Sequence, residues 1–157
     1  RMAQLADAGA IVALVNGHAA NGVMLPVTAE RVALALEDFI VAVDERDRVR
    51  ACGALKEYSP SLAEIASLAV ARDAQGAGLG KRLIRELEAL ARVRGIEELF
   101  ALTMTAGFFE SAGYCVTERA RYPEKMRRDC ASCARRFGCA EVCVSRVLRA
   151  ATMDCAA

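Results

Sequence analysis

The sequence predicts a single α+β domain, on three observations. Short apolar runs suited to strands occupy residues 39–43, 49–55, 62–71 and 99–102. Leucines 79, 83, 87 and 90 recur at helical spacing. A glycine-rich loop, residues 75–80, sits between the 62–71 run and that helix. At 157 residues and 55% hydrophobic content the chain can bury a core, and disorder is excluded. No internal repeat or linker divides it, so residues 1–157 are read as one domain with a cysteine-rich segment at 122–143.

The elements follow in order. Residues 8–20 place Ile11, Val12, Leu14 and Val15 on a helical stripe, and Asn21-Gly22 stops it. Thr28 is the expected N-cap of a second helix carrying Val32, Leu34 and Leu36. Residues 39–43 and 49–55 form a hairpin around the charged turn 44–48. Residues 62–71, apolar on both faces, suit a buried central strand. The long helix ends at Gly95, and residues 99–102 make a strand. Thr105 caps a short helix through Phe108 and Phe109, ended by Gly113. Strands are expected from Tyr114 to Thr117 and over residues 143–148.

Composition removes several functions. Twenty-one basic against 20 acidic residues give no electrostatic case for nucleic acid. No apolar run reaches the roughly 20 residues of a membrane span. Residues 1–14 carry Asp7 and lack the pattern of a secretory leader. Seven cysteines, an odd number, argue against a secreted disulfide scaffold and for a reducing cytoplasm. The single histidine, His18, rules out His-pair and His-rich metal chemistry and is read as a surface or half-buried side chain.

Strand, glycine loop, helix is the main chemical signal. A helix start exposes unpaired N–H groups, and glycines let the backbone approach an anion closely. Gly80-Lys81-Arg82 lacks the Ser/Thr of a P-loop, and the glycine spacing does not fit a dinucleotide fingerprint. Gln75-Gly76-Ala77-Gly78-Leu79-Gly80 instead resembles the Gln/Arg-x-x-Gly-x-Gly/Ala motif of the GNAT acetyltransferases. Ser67-Leu68-Ala69-Val70 is similar to their coenzyme-lining strand, and residues 99–114 to their strand, short helix and Gly-aromatic close.

The resemblance implies a mixed, mostly antiparallel twisted sheet, splayed in the middle and flanked by helices on both faces. It implies acetyl-CoA as cosubstrate. Gln75, Gly76, Ala77, Gly78, Leu79, Gly80 and Lys81 would hold its pyrophosphate; Leu68, Ala69 and Val70 would line its pantetheine arm; Phe109 would lie close by. A homodimer is common in the family. Glu64, the one charged residue of its strand, resembles the glutamate that serves as base in some members; the bland alternative is a solvated strand end. Phe108-Phe109 stand where many members carry a proton-donating tyrosine, leaving Tyr114, Ser111 and Cys115 as poor substitutes.

A narrower resemblance, to N-acetylglutamate synthases, rests on Asn16-Gly17-His18, Met24-Leu25-Pro26, residues 38–41, Cys52-Gly53-Ala54-Leu55-Lys56, Glu64-Ile65 and residues 99–103. Tyr122-Pro123-Glu124-Lys125 with Asp129-Cys130 is similar to the short stand-alone form of that group. The implied reaction acetylates the α-amine of glutamate. Lys56 would bind a substrate carboxylate, but Val27 stands where a second cation belongs, with Arg31, Arg127 or Arg128 as replacements. A non-catalytic acetyl-CoA sensor and a protein N-acetyltransferase are the competing readings. Cys130, Cys133, Cys139 and Cys143 have spacings open to tetrahedral zinc or to redox-labile thiols, their reactivity raised by the neighbouring arginines.

Overall fold

The computed structural model describes residues 1–148; Cys155 lies outside them. Its elements are α1 (Ala8–Ala19), α2 (Ala29–Leu34), β1 (Phe39–Val43), β2 (Val49–Ser59), β3 (Leu62–Val70), α3 (Leu79–Val93), β4 (Glu98–Thr103), α4 (Ala106–Glu110), β5 (Cys115–Thr117), α5 (Pro123–Lys125) and β6 (Val142–Val147). A wide π-type turn, Met126–Cys130, follows α5. The strands form one sheet in the order β1-β2-β3-β4-β6-β5. Every neighbouring pair is antiparallel except β3 and β4.

The period-2 alternation of each strand assigns its side chains to two faces. Ile40, Ala51, Leu55, Ile65, Leu99 and Ala101 pack under Leu83, Ile84 and Leu87 of α3 and Phe109 of α4. Phe39, Val41, Cys52, Ala54 and Ala69 meet Ile11 and Val15 of α1 and Val32 of α2 on the other face. A third cluster, Phe100, Tyr122 and Cys143, extends that second face beyond β3. Helices thus cover both faces, as the family resemblance implies.

Three details depart from the sequence reading. Strand β2 runs on to Ser59, four residues past its expected end, because it pairs with β3 as far as Ser59–Leu62. Thr28 does cap α2, accepting from the Arg31 amide (3.3 Å), but Leu34 is 81% exposed. The helix has six residues and buries only Val32. Thr105 makes no side-chain cap; its amide instead donates to the Thr103 hydroxyl (3.0 Å).

The feature that creates a site is the junction of β3 and β4. Their parallel pairing covers Leu62–Glu98, Ala63–Leu99 and Glu64–Phe100, and stops there. Beyond Glu64 the outer edge of β3 has no partner strand. Its inner register also slips: Cys52 pairs with Ala69 but Ala54 with Ala66, so β3 carries one extra residue. Ser67, inside that bulge, has φ +52°, in the left-handed region that costs an ordinary residue about 1–2 kcal/mol. Gly53 lies opposite, and a Cβ there would come within 2.9 Å of Leu87 and 3.0 Å of Leu68, so at this point β2 and α3 approach too closely for any side chain.

Candidate active site

A cleft of about 1710 Å³ opens where β3 and β4 part, lined at one end by the glycine loop and at the other by residues 119–141. At the loop end, Gly76 (φ +81°) and Gly78 (φ +79°) both need the left-handed conformation, and a Cβ on either would meet nothing within 4 Å. The loop is tied back by a turn at Arg72–Ala74, where Asp73 pairs with Arg50 of β2 at 2.5 Å. Helix α3 starts without a side-chain cap, and its first turn closes with the Arg82 amide donating to the Gly78 carbonyl (3.1 Å). The start of a 15-residue helix therefore presents free amides beside two glycines, which suits a diphosphate.

The predicted coenzyme residues divide. Gln75, Gly76, Gly78, Leu79, Gly80, Lys81, Leu68, Ala69 and Val70 line the cleft; Ala77 does not. Gly80 serves packing as well, since a Cβ there would lie 2.9 Å from the Phe108 ring. Phe109 reaches the cleft but is mostly core, edge-on to Phe108 and Tyr114. The Val70 carbonyl is already engaged, accepting from His18 Nε2 at 2.8 Å and from Gln75 at 3.4 Å. His18, read from sequence as a bystander, is thus part of the cleft wall, and its Nε2 carries a proton in this contact.

At the other end, register brings charge together. Lys56 pairs with Glu64 across β2–β3, and Glu64 with Phe100 across β3–β4. The three lie side by side on one face. Tyr122 stacks on Phe100 (4.1 Å between centroids, 7° between planes), which anchors the following helical turns over Glu64. From there Lys125 donates to Glu64 Oε2 at 2.8 Å and to Asp129 Oδ2 at 3.1 Å, while Lys56 donates to Asp129 Oδ2 at 2.6 Å. The Tyr58 hydroxyl lies 2.9 Å from Glu64 and also touches Asp129, so its single proton faces two carboxylates.

Glu64 is only 5% exposed, so it is no solvated strand end. Its charge is matched by Lys125, 15% exposed. Burial lowers the Lys125 pKa, but the charge of Glu64, its hydrogen bond and Asp129 outweigh this and raise it. Burial would raise Asp129; the hydrogen bonds from Lys56 and Tyr58 and the charge of Lys125 instead hold it well below the carboxylate range. Tyr58 is pushed far up, first by burial and then by Glu64 and Asp129.

Other expectations need correction. Arg127 points away from the cleft, paired with Glu124 at 2.9 Å and 71% exposed. Arg128 lines the cleft instead, over the Tyr58 ring at 4.8 Å. Val27 lines the cleft without charge, its amide and carbonyl clamped by the Asn16 side chain (2.9 and 3.0 Å). Tyr114 donates to buried Glu88 (3.2 Å), Ser111 to the Phe108 carbonyl (2.7 Å), and neither lines the cleft, nor does Cys115.

The zinc expectation fails. Among the described residues no group of three or more His, Cys, Asp or Glu could hold a metal ion. Cys143 is buried on β6 against Phe100 and Tyr122, and the Cys139 thiol turns to Glu141 at 3.6 Å, so Cys130 and Cys133 are not joined by a second pair. The neighbouring cations do not activate Cys130 or Cys143. Burial raises the Cys130 pKa against Lys125 and Arg119, and pushes Cys143 up to about 11.

Comparison with known proteins agrees with this geometry. The acetyltransferase (GNAT) domain model matches residues 35–116. An uncharacterised N-acetyltransferase of Chlorobaculum tepidum is 38% identical over 94% of this chain and 95% of that protein. The amino-acid acetyltransferase of Ralstonia nicotianae is 37% identical over 82% of this chain, which spans only 29% of that longer protein. The N-acetylglutamate synthase of Neisseria gonorrhoeae, solved with coenzyme A and N-acetyl-glutamate, superposes with a TM-score of 0.86 at 30% identity, over 96% of this chain and 35% of that one. No described helix is long and apolar enough to cross a membrane. With its glycine loop at a helix start, its parted strands and these relatives, the chain belongs to the GNAT family and is an acetyl-CoA-dependent N-acetyltransferase.

Proposed function

We propose that the enzyme acetylates the α-amine of a free amino acid, with glutamate the first acceptor to test. One observation carries this reading. At the point where β3 leaves β4, a buried carboxylate, Glu64, stands beside two ammonium groups, Lys56 and Lys125. An amino acid offers the complement: a carboxylate for a lysine and an ammonium that must lose a proton before it can attack. The names of the Ralstonia and Neisseria relatives support the same substrate class, although this chain spans about a third of their length.

The chemistry follows from the arrangement. Glu64 accepts a proton from the acceptor's ammonium, directly or through one water. The freed amine attacks the thioester carbonyl, whose developing oxyanion is met by main-chain N–H on the open edge of β3. Collapse breaks the carbon–sulfur bond, and the second proton on the nitrogen passes to water or to the departing sulfur, leaving a neutral amide. The thiolate leaves without need of a tyrosine donor, since a thiol of pKa near 8.5 is a tolerable leaving group. Both substrates occupy the cleft together and acetyl passes directly between them. We place the enzyme in the cytoplasm, where its seven cysteines would stay reduced.

The test is thiol release from acetyl-CoA against a panel of the common amino acids, polyamines and a peptide with a free N-terminus. Stimulation by glutamate or another free amino acid supports the reading. Stimulation by the peptide alone replaces it with protein acetylation. Tight acetyl-CoA binding with no stimulated release points to a sensor.

A further inference from the structure

Lys56 and Lys125 are the cations that the proposed reaction would use, yet neither is free. Both donate to one atom, Asp129 Oδ2, at 2.6 and 3.1 Å, and the Tyr58 hydroxyl touches the same oxygen. Three donors from two separate parts of the chain, β2 and the turns after Tyr122, converge on a single carboxylate oxygen. Asp129 reaches it from the wide turn Met126–Cys130, a turn type frequent at functional sites. Asp129 and Glu64 share two donors, Tyr58 and Lys125, so a carboxylate in the Asp129 position is one hydrogen-bonded group away from the proposed base.

We propose that Lys56, Lys125 and the Tyr58 hydroxyl form a carboxylate site that Asp129 fills from within the chain, and that a carboxylate on the acceptor takes this site by displacing Asp129. The inference rests on the amino-acid reading and adds to it a competitor built into the protein. Charge balance favours the exchange. With Asp129 in place, two carboxylates face two ammonium groups. With Asp129 withdrawn, two ammonium groups face Glu64 alone, and the surplus positive charge in a half-buried site calls for another anion. An α-amino acid seated there would hold its amine beside Glu64, because its nitrogen is only two bonds from the carboxylate carbon. The same exchange would discriminate: an amine without a carboxylate cannot remove Asp129, and so would not open the site.

The experiment uses glutarate, a dicarboxylate with no amine to acetylate, titrated at constant ionic strength with sodium chloride as control. Binding is read from the rise in Tm of wild type, Asp129→Ala and Asp129→Asn; the asparagine variant keeps the shape of the turn should the alanine variant fold poorly. We expect both variants to bind glutarate at least fivefold more tightly than wild type, and Lys56→Ala added to either to abolish the gain. Equal or weaker binding by the Asp129 variants would overturn the proposal and make Asp129 a clip that holds the lysines in place. Because this readout needs no turnover, it is separate from the substrate assignment. Tighter glutarate binding with no amino acid acetylated would remove the amino-acid reading and leave the carboxylate site. An acetylated amino acid with no change in glutarate binding would do the reverse.

Discussion

The two ends of the cleft are built from different materials. At the glycine loop the groups on offer are main-chain amides, and side chains matter chiefly by being absent: Gly76 and Gly78 supply a conformation, Gly80 a close approach. At the other end the backbone is a frame, and the groups on offer are the side chains of Lys56, Tyr58, Glu64 and Lys125, tied to Asp129 and drawn from β2, β3 and the turns after Tyr122. The first kind of site fits any acyl-CoA and tolerates little change in backbone. The second can be retuned one charge at a time. A family that shares a cosubstrate and varies its acceptor needs this division.

The largest effect that would sharpen the contrast comes from Glu64→Gln. The amide keeps the shape and can still accept from Tyr58 and Lys125, but it cannot take a proton at neutral pH. We expect kcat to fall about 100-fold or more, the lower end of general-base contributions. The KM for acetyl-CoA should hold, because the glycine loop is untouched. An unchanged kcat in steady-state assays would show that the amine reaches the thioester already neutral, and would remove Glu64 from the chemistry.

Next in size is a pair of substitutions that should act on opposite substrates. Lys56→Ala removes a charge-assisted contact of about 1.5–3 kcal/mol, which is roughly 10- to 100-fold in acceptor KM. Gly78→Val places a β-branched residue at φ +79° and is expected to raise the KM for acetyl-CoA about tenfold. If either change moves both KM values together, the two ends are not independent, and the division drawn above is wrong.

This contrast also explains what could be read in the sequence. The cofactor end was legible because its signal is local: a strand, six loop residues and an amphipathic helix, all within residues 62–93. Strand β1 and the starts of α1, β2 and β3 are legible for the same reason, while α3 begins two residues early, inside the glycine loop. The acceptor end was legible only in fragments. Lys56 and Glu64 were singled out one by one, but nothing in a linear reading shows that they are register partners. Lys125 and Asp129, four apart, look like an ordinary helical ion pair, and only the stacking of Tyr122 on Phe100 swings them over Glu64. Sequence alone does not separate Arg127 from Arg128, of which only Arg128 faces the cleft, because phase along a short helix ending in a π-type turn follows no fixed period. His18 carries no local signal, since its partner, the Val70 carbonyl, lies 52 residues away. Knuckle spacing among the cysteines says nothing of where the chain carries each thiol afterwards.

A smaller effect separates two glycines of the same loop. Gly80→Val should leave acetyl-CoA binding nearly intact while costing stability, since its Cβ would meet the Phe108 ring at 2.9 Å. Overpacking of this kind costs about 1–3 kcal/mol, and each kcal/mol lowers Tm by roughly 2–4 °C at this size. A variant with wild-type Tm and weakened acetyl-CoA binding would move Gly80 from packing to recognition.

The smallest expected effect tests the acceptor end through pH. The Asp129 carboxyl is depressed in the folded chain, so its network contributes stability above the unfolded value near 3.9, and that contribution is lost as pH falls further. Lys125 is raised, so its contribution is full below its unfolded value near 10.4 and disappears only above it. Between those limits the stability difference between wild type and Asp129→Asn should be flat with pH. Below pH 4 it should shrink, because protonation does to wild type what the substitution has already done. Thermal melts of the two proteins from pH 3 to 9 would show this directly. A difference that stays constant to pH 3 would mean that the lysines and Tyr58 are not holding Asp129 ionised, and the carboxylate site would lose its charge balance as an argument.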